Sequence, residues 1–154
     1  MTACTRRYIM RITLGPIILD VDVTATRQFY ETHGGYLSCT CDGCRNFPLA
    51  VPHMPPALLH ALHQMGVDPL KPAEQWVNCA TPDGKAAHYG GFYNVCGTIV
   101  KGAEHWHTPD FELLIRDDCS LLKPDFPRPC FEVDFYCTLP WLLEMPSTEA
   151  YPSP

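Results

Sequence analysis

Three cysteines within six positions are the residues of this chain whose types and spacing could do chemistry: Cys39, Cys41 and Cys44 in the stretch CTCDGCRNF. Side chains at positions i and i+2 of an extended segment point the same way, so Cys39 and Cys41 can converge. Cys41 and Cys44 have the C-x-x-C spacing that zinc knuckles and dithiol redox sites share. The Asp42-Gly43 pair between them favours the turn that a knuckle needs. The pattern predicts a zinc site, a dithiol site, or three packing cysteines in a tight turn.

The zinc and dithiol alternatives make different demands on the rest of the chain. Structural zinc takes four ligands, commonly from two such pairs, and the sequence has no second C-x-x-C. A fourth ligand would come from elsewhere, with the candidates Cys79, Cys96, His33, His53 and His88. In the dithiol alternative, Cys44 opens a helix whose N-terminus lowers the pKa of its thiol. That alternative predicts a thiol oxidoreductase at Cys41 and Cys44, but no βαβ unit of the thioredoxin type is predicted around them.

The stretch HWHTPDFE at 105–112 is a second group of metal-ligating residue types. On a strand, His105 and His107 direct both imidazoles to one side, and Glu112 follows after four intervening residues. This H-x-H-x4-E spacing is similar to that of cupins, whose metal sites use two histidines and a glutamate. The glycines that frame the cupin motif are misplaced here and no second motif follows. The alternative is that the two histidines lie in an exposed loop between two strands, with Trp106 directed inward.

Motifs for nucleophilic catalysis and phosphate binding are absent: the sequence has no G-x-S-x-G, no G-x-x-x-x-G-K-[ST] and no G-x-G-x-x-G. Glu132 and Asp134 alternate on a predicted strand and are expected on its wet face. We therefore predict no catalytic residues, and a small binding or protein-interaction module rather than an enzyme. The expected partner is a protein, met by the aromatic side chains of Tyr89, Phe92 and Tyr93, which resemble interface anchors.

Length and composition limit the class of protein. A chain of 154 residues is the size of one domain. The hydrophobic share of 46% indicates a globular core, and the net charge of −6 argues against a broad nucleic-acid-binding surface. No apolar run approaches the ~20 residues of a membrane span, and Arg11 interrupts the apolar N-terminal stretch. We predict a cytoplasmic protein that binds neither nucleic acid nor membrane.

The cysteine count supports a reducing compartment. Nine cysteines is an odd number, which argues against a closed disulfide framework. In the cytoplasm, free thiols behave as small apolar residues. Outside the C-x-C-x-x-C stretch we therefore expect buried packing cysteines, namely Cys4, Cys79, Cys96, Cys119, Cys130 and Cys137.

Hydrophobic periodicity predicts both strands and helices. Alternating residues predict strands at 8–14, 17–23, 76–80, 87–100, 111–116 and 131–137. Helical spacing and capping residues predict helices at 25–33, 44–51 and 55–65, the first of them capped by Thr24. The turn TPDGK at 81–85 joins the third and fourth strands into a hairpin. The last two strands are expected to pair, with Arg116 near Glu132 or Asp134.

These elements predict an α+β fold. Two strands come first, a helical insert spans about residues 24–75, and antiparallel strands follow. The helices should gather on one face or at one end of a mainly antiparallel sheet. We expect a single domain over residues 1–143 and a loose tail over residues 144–154.

Three stretches together resemble those of a protein family: CDGCRNF at 41–47, HYGGFYNVCGTI at 88–99 and CFEVDFYCTLPWLL at 130–143. They are similar to short uncharacterised cytosolic proteins of gut Firmicutes. In these, a C-x-x-C-[RQ]-N-[FY] segment precedes a helical stretch with L-G-[IV]-D-P, and an H-Y-G-G-[FW]-Y segment comes later. Here the L-G-[IV]-D-P element reads Met65-Gly66-Val67-Asp68-Pro69. The resemblance implies a bacterial cytosolic protein of unknown function and carries no catalytic residue over to this chain.

Overall fold

Seven strands form one sheet in the computed structural model, which describes residues 7–35, 39–100, 102 and 104–152. In chain order they are β1 (Ile9–Leu14), β2 (Ile17–Asp22), β3 (Glu74–Ala80), β4 (Ala86–Ile99), β5 (His105–His107), β6 (Phe111–Arg116) and β7 (Cys130–Pro140). The order across the sheet is β1-β2-β4-β7-β6-β5, and all paired strands are antiparallel. One edge of the long β4 pairs with β7. Its other edge pairs with β3 near its start and with β2 at its end.

The helices lie mostly between β2 and β3 in the chain. They are α1 (Val23–Thr32), α2 (Asp42–Ala50), a 3₁₀ turn (Val51–His53) and α3 (Pro56–Gln64), while a short helix, α4 (Ser147–Ala150), follows β7. The predicted α+β class, with a mainly antiparallel sheet and a helical insert, is confirmed. In the described ranges, no helix combines the length and the apolar composition of a transmembrane segment.

Element boundaries follow local hydrogen bonding. The Asp22 carboxylate accepts the Ala25 N–H at 2.9 Å, so Asp22 rather than the predicted Thr24 is the N-cap of α1. The predicted hairpin turn is present between β3 and β4. Its Asp83 carboxylate accepts the Lys85 N–H at 3.0 Å, and Gly84 adopts a φ of +73°, which glycine tolerates without strain.

The helical insert covers one face of the sheet and encloses the main core. Alternate residues of β4 and β7 point to this face and meet the apolar sides of α2 and α3. The buried side chains include Phe47, Leu58, Leu62, Tyr89, Tyr93, Leu113, Phe131 and Phe135. Side chains of this size each contribute ~1.5–3 kcal/mol when buried, so apolar packing is a main source of the fold's stability.

The opposite face of β7 carries the acidic pair that was expected on a wet surface, and that prediction is wrong. Glu132 is 2% exposed and Asp134 is 5% exposed. The 117–129 segment meets Glu132, where the Ser120 N–H donates to Glu132 Oε2 at 2.6 Å. The predicted neighbourhood of Arg116 is confirmed, since it is the cross-strand partner of Glu132 and its Nε lies 3.0 Å from Asp134 Oδ2.

The C-terminal segment was expected to be loose, but residues 144–152 pack against the domain. Ser147 N–H donates to Gly84 O at 2.9 Å, and Ser147 Oγ donates to Ala86 O at 2.6 Å. The Tyr151 ring meets Trp141 edge-on, with centroids 6.0 Å apart. These contacts carry Tyr151 to the start of α2, where its hydroxyl accepts the Gly43 N–H at 3.2 Å.

Candidate functional site

The N-terminus of α2 brings the three cysteines together. Cys41 is the N-cap residue, with an extended backbone (φ −64°, ψ 165°), and Cys44 lies in the first turn of the helix. Cys39 precedes them in a non-helical stretch. The three Sγ atoms lie within 4.8 Å of one another, so the convergence that the spacing predicts is observed.

Hydrogen-bond donors surround the three sulfur atoms. Cys41 N–H donates to Cys39 Sγ at 3.4 Å, and the side-chain amide of Gln75 donates from Nε2 to Cys44 Sγ at 3.1 Å. The hydroxyl of Tyr151 lies at the same turn, where it accepts the Gly43 N–H at 3.2 Å. Such contacts stabilise negative charge on an acceptor, and metal-bound ligands are commonly held by similar outer contacts.

These surroundings make the thiols unlike one another. Burial acts to raise the pKa of Cys41, but several hydrogen bonds, led by one from the Cys44 backbone, outweigh burial and hold this pKa below its usual value. Burial, followed by the two neighbouring thiols, raises the pKa of Cys44 to about 12. One thiolate is therefore favoured and a second beside it is opposed, because like charges at short range repel. A cation between the sulfurs would remove that repulsion.

A buried asparagine fixes α2 against the sheet. Asn46 is 0% exposed, and its Nδ2 donates to Tyr89 Oη at 3.2 Å and to Pro140 O at 3.1 Å. Its Oδ1 accepts the Leu142 N–H at 2.7 Å, and the Tyr89 hydroxyl donates in turn to Gly43 O at 2.9 Å. The first turn of α2, which carries Cys44, is thus held from the interior. The sequence signal for this role was a lone polar residue on the buried side of the helix.

The three sulfurs have no fourth protein ligand in the described part of the chain. None of the five candidates belongs to the group: His33 pairs with Asp125, His88 with Thr138, and His53, Cys79 and Cys96 lie apart from it. A metal held here would keep one position for water or an external ligand. The sequence also gave no signal for Tyr151, because it belongs to the segment expected to be loose.

The hairpin of β5 and β6 brings together the second predicted group. His107 is the cross-strand partner of Glu112, and His105 lies two residues away on the same side of β5. Glu112 Oε1 is 2.7 Å from His107 Nδ1, and Glu112 Oε2 is 3.7 Å from His105 Nε2. The ligand atoms of these three residues also lie within 4.8 Å of one another. His105 and His107 lie on β5 and Glu112 lies on β6, so none of the three is in a loop. Trp106 is half-buried, as expected.

The three aromatic residues expected to anchor a protein partner are in the interior. Tyr89 and Tyr93 are fully buried in the main core, and Phe92 is 4% exposed. The Tyr93 hydroxyl donates to Pro69 O at 2.8 Å, which satisfies its polar atom inside the fold. These residues therefore form no exposed aromatic surface, and the interaction site predicted from them is wrong.

The remaining cysteines divide by burial. Cys96 and Cys137 are buried as predicted, Cys119 and Cys130 are half-buried, and Cys79 is exposed, contrary to the prediction. Cys4 lies outside the described residues. The Sγ atoms of Cys119 and Cys130 are 3.8 Å apart, and all the cysteines of the described ranges are free thiols.

A comparison with protein-family models, curated proteins and solved structures finds no match to this chain. The resemblance to cytosolic proteins of gut Firmicutes stays a prediction, and the two side-chain clusters are the features of this chain that bear on function.

Proposed function

We propose that this protein is a small binding module that holds one thiophilic metal ion, with Zn²⁺ as the ion of reference, through Cys39, Cys41 and Cys44. The observation that carries the proposal is the approach of three Sγ atoms to within 4.8 Å of one another at the start of a helix. Zinc–sulfur bonds of ~2.3 Å place neighbouring sulfurs about 3.8 Å apart in a tetrahedral site. The observed grouping therefore needs only small side-chain rotations to enclose the ion.

The surroundings of the sulfurs support a metal more than they support packing. Cys39 and Cys41 are exposed, so they do not serve as small apolar core residues. The Gln75 amide of β3 donates to Cys44, and the Tyr151 hydroxyl of the C-terminal segment accepts the Gly43 N–H between Cys41 and Cys44. Outer contacts of this kind orient ligands and tune metal affinity.

The consequence of binding would be local. An ion held by these sulfurs ties the 39–41 stretch to the first turn of α2, which Asn46 already fixes to the sheet. The fourth position stays open to water or to a ligand from a partner, as in a site that binds rather than one that only braces a fold. The proposal requires reduced cysteines and hence a reducing compartment such as the cytoplasm.

Cobalt substitution tests the proposal directly. Co²⁺ bound by thiolates gives a sulfur-to-metal charge-transfer absorption that oxygen and nitrogen ligands do not give. Reduced wild-type protein should develop this absorption with one equivalent of Co²⁺ and lose it when Zn²⁺ is added. Cys39→Ser should abolish or strongly reduce it, while Cys79→Ser, at an exposed cysteine outside the group, should leave it unchanged. Absence of the band from the wild-type protein would refute the proposal.

A second candidate, thiol–disulfide exchange at Cys41 and Cys44, is favoured by one observation. The exposed Cys41 stands at a helix N-terminus with a lowered pKa, while the less exposed Cys44 three residues later has a raised one. In this reaction the Cys41 thiolate attacks a small disulfide such as oxidised glutathione and displaces one thiol. The Cys44 sulfur then attacks the mixed disulfide, which forms Cys41–Cys44 and releases the second thiol.

Cys39 separates the two candidates, since exchange needs two sulfurs and the metal site needs three. Cys39→Ser protein that still reduces oxidised glutathione at the wild-type rate, while wild-type protein gives no cobalt–thiolate band, would establish exchange in place of metal binding.

Labelling of metal-free wild-type protein with iodoacetamide at neutral pH should modify Cys41 first under both candidates, because Cys41 is exposed and its thiolate is favoured.

A further inference from the structure

The short strand β5 presents its histidines in a fixed direction. Trp106 packs edge-on against Phe111, with ring centroids 5.0 Å apart and an interplanar angle of 85°. Its indole also covers Gly15, where φ is +55° and a Cβ would collide with the ring. Since successive side chains of a strand point to opposite sides, anchoring Trp106 directs His105 and His107 together to the other side.

Glu112 completes the group from the facing strand. Its carboxylate places one oxygen 2.7 Å from His107 Nδ1 and the other 3.7 Å from His105 Nε2. Zinc bonds to nitrogen and oxygen of ~2.0–2.2 Å set neighbouring donor atoms about 3.3 Å apart in a tetrahedral site. The two observed separations lie on either side of this value, so a cation fits after small rotations of the side chains.

The group is accessible and borders a groove. The side chains of His105, His107 and Glu112 are 52%, 67% and 40% exposed. His107 and Glu112 line a groove of about 240 Å³ whose lining also includes Asn78, His88 and Tyr136. Three protein ligands with open positions beside a groove are the arrangement that lets a bound metal take up water or a further ligand.

We propose that His105, His107 and Glu112 bind one divalent cation of borderline softness, such as Zn²⁺, and that its open positions accept water or a small anionic ligand in the adjoining groove. Imidazoles suit Zn²⁺ and its first-row neighbours, and a carboxylate is also an ordinary zinc ligand. The site shares no residue with the cysteine cluster, so the inference stands apart from the function proposed above.

A zinc titration of a variant that lacks the first cluster tests the site. With Cys39, Cys41 and Cys44 all changed to serine, calorimetry near neutral pH should show one equivalent of Zn²⁺ bound. Adding His107→Ala or Glu112→Gln should weaken this binding at least ~10-fold, since even changes to residues that only support a metal ligand cost ~10–100-fold. His60→Ala, at an exposed histidine of α3, should leave it unchanged. Binding that is absent, or indifferent to His107→Ala, overturns the proposal.

A second measurement uses the wild-type protein, so the proposal remains testable if the serine variant fails to fold. Imidazole ¹⁵N resonances of His105 and His107 should shift as Zn²⁺ is added, within the first equivalent or, where the cysteine cluster takes up that equivalent, within the second. Those of His60 and His63 on α3 should stay in place. Shifts confined to α3, or an equal response from all four histidines, would exclude a specific ion at the hairpin.

Discussion

Two regions of this protein bring cysteine sulfurs into contact, and they differ in what surrounds the sulfurs. At the start of α2, Cys39, Cys41 and Cys44 lie close together near the surface, and hydrogen-bond donors contact their sulfur atoms. On the far face of the sheet, Cys119 and Cys130 approach to 3.8 Å, but no third ligand joins them in the described residues. A short sulfur–sulfur distance alone therefore does not give the three-ligand grouping on which the proposed metal site depends.

The two regions also differ in the pKa shifts of Cys119 and Cys41. Burial, followed by the neighbouring Cys130, raises the pKa of Cys119 to about 12, and the Glu132 carboxylate adds to the rise. Around Cys41, by contrast, hydrogen bonds overcome burial and favour the thiolate. A helix N-terminus with directed donors stabilises charged sulfur, whereas the half-buried Cys119 thiol, beside another cysteine and a carboxylate, keeps its proton.

The largest expected effect separates the two regions by metal affinity. Cys44→Ser removes one of three sulfurs and should weaken Co²⁺ binding by about 1,000-fold, or ~4 kcal/mol, because two thiols do not enclose an ion. Cys130→Ser, which removes a sulfur from the other region, should leave the affinity unchanged. Competition against a chromophoric chelator measures both, and a similar loss in the two variants would erase the distinction between the regions.

The next prediction concerns what holds the first region in place. Asn46→Ala leaves Leu142 N–H, Pro140 O and the Tyr89 hydroxyl without their buried partner. Unsatisfied buried groups cost ~1–3 kcal/mol each, partly relieved by rearrangement, so we expect about 3 kcal/mol of destabilisation. Urea unfolding monitored by circular dichroism measures it. Asn78→Ala, at an exposed position, should cost under ~1 kcal/mol.

On the far face of the sheet, the buried Asp134 predicts that the free energy of unfolding depends on pH. Burial, followed by the neighbouring Glu132, raises the pKa of Asp134 to about 7, against the opposing effect of Arg116. Asp134 Oδ1 is buried with no hydrogen-bond partner among the described residues, which fits a carboxyl group that retains its proton. An unfolded aspartate releases its proton near pH 4, so the folded state holds more protons between about pH 4 and pH 7.

Stability should therefore be greatest at the acidic end of this range and fall as pH rises through 7. Between pH 6 and pH 8 the expected loss from this group is about 1.4 kcal/mol, the value of one pKa unit. Asp134→Asn removes the titration, so the variant should lack this part of the decline in urea unfolding at the two pH values. A decline of equal size in the variant would assign it to other groups.

How much of the structure could be predicted from the sequence depends on how far apart in the chain the interacting residues lie. Alternation along strands is local, so the pairing of β6 with β7 and the position of Arg116 near Glu132 or Asp134 were predictable. The convergence of Cys39, Cys41 and Cys44 was predictable for the same reason, since it depends on spacing within six residues.

What sequence missed depends on segments that are distant in the chain. Glu132 is buried because the 117–129 segment lies against it. That segment has no helical or strand periodicity from which its position could be predicted. Gln75 reaches Cys44 from β3, and Tyr151 reaches Gly43 from the C-terminal segment; only tertiary packing brings them there. The sequence pattern around Tyr89 and Tyr93 fits both exposed anchors and core residues. The two side chains are in the core because α2 and α3 pack over them.

The smallest effect that we predict isolates one of these distant contributions. Tyr151→Phe keeps the ring against Trp141 but removes the hydroxyl that accepts the Gly43 N–H between Cys41 and Cys44. A hydrogen bond contributes ~0.5–1.5 kcal/mol net, so Co²⁺ affinity should fall roughly two- to tenfold without loss of the charge-transfer band. Tyr8→Phe, at an exposed position, is the matched control. Unchanged affinity in Tyr151→Phe would mean that the three sulfurs and their backbone donors suffice, and that the contrast with the Cys119 region lies in the helix start alone.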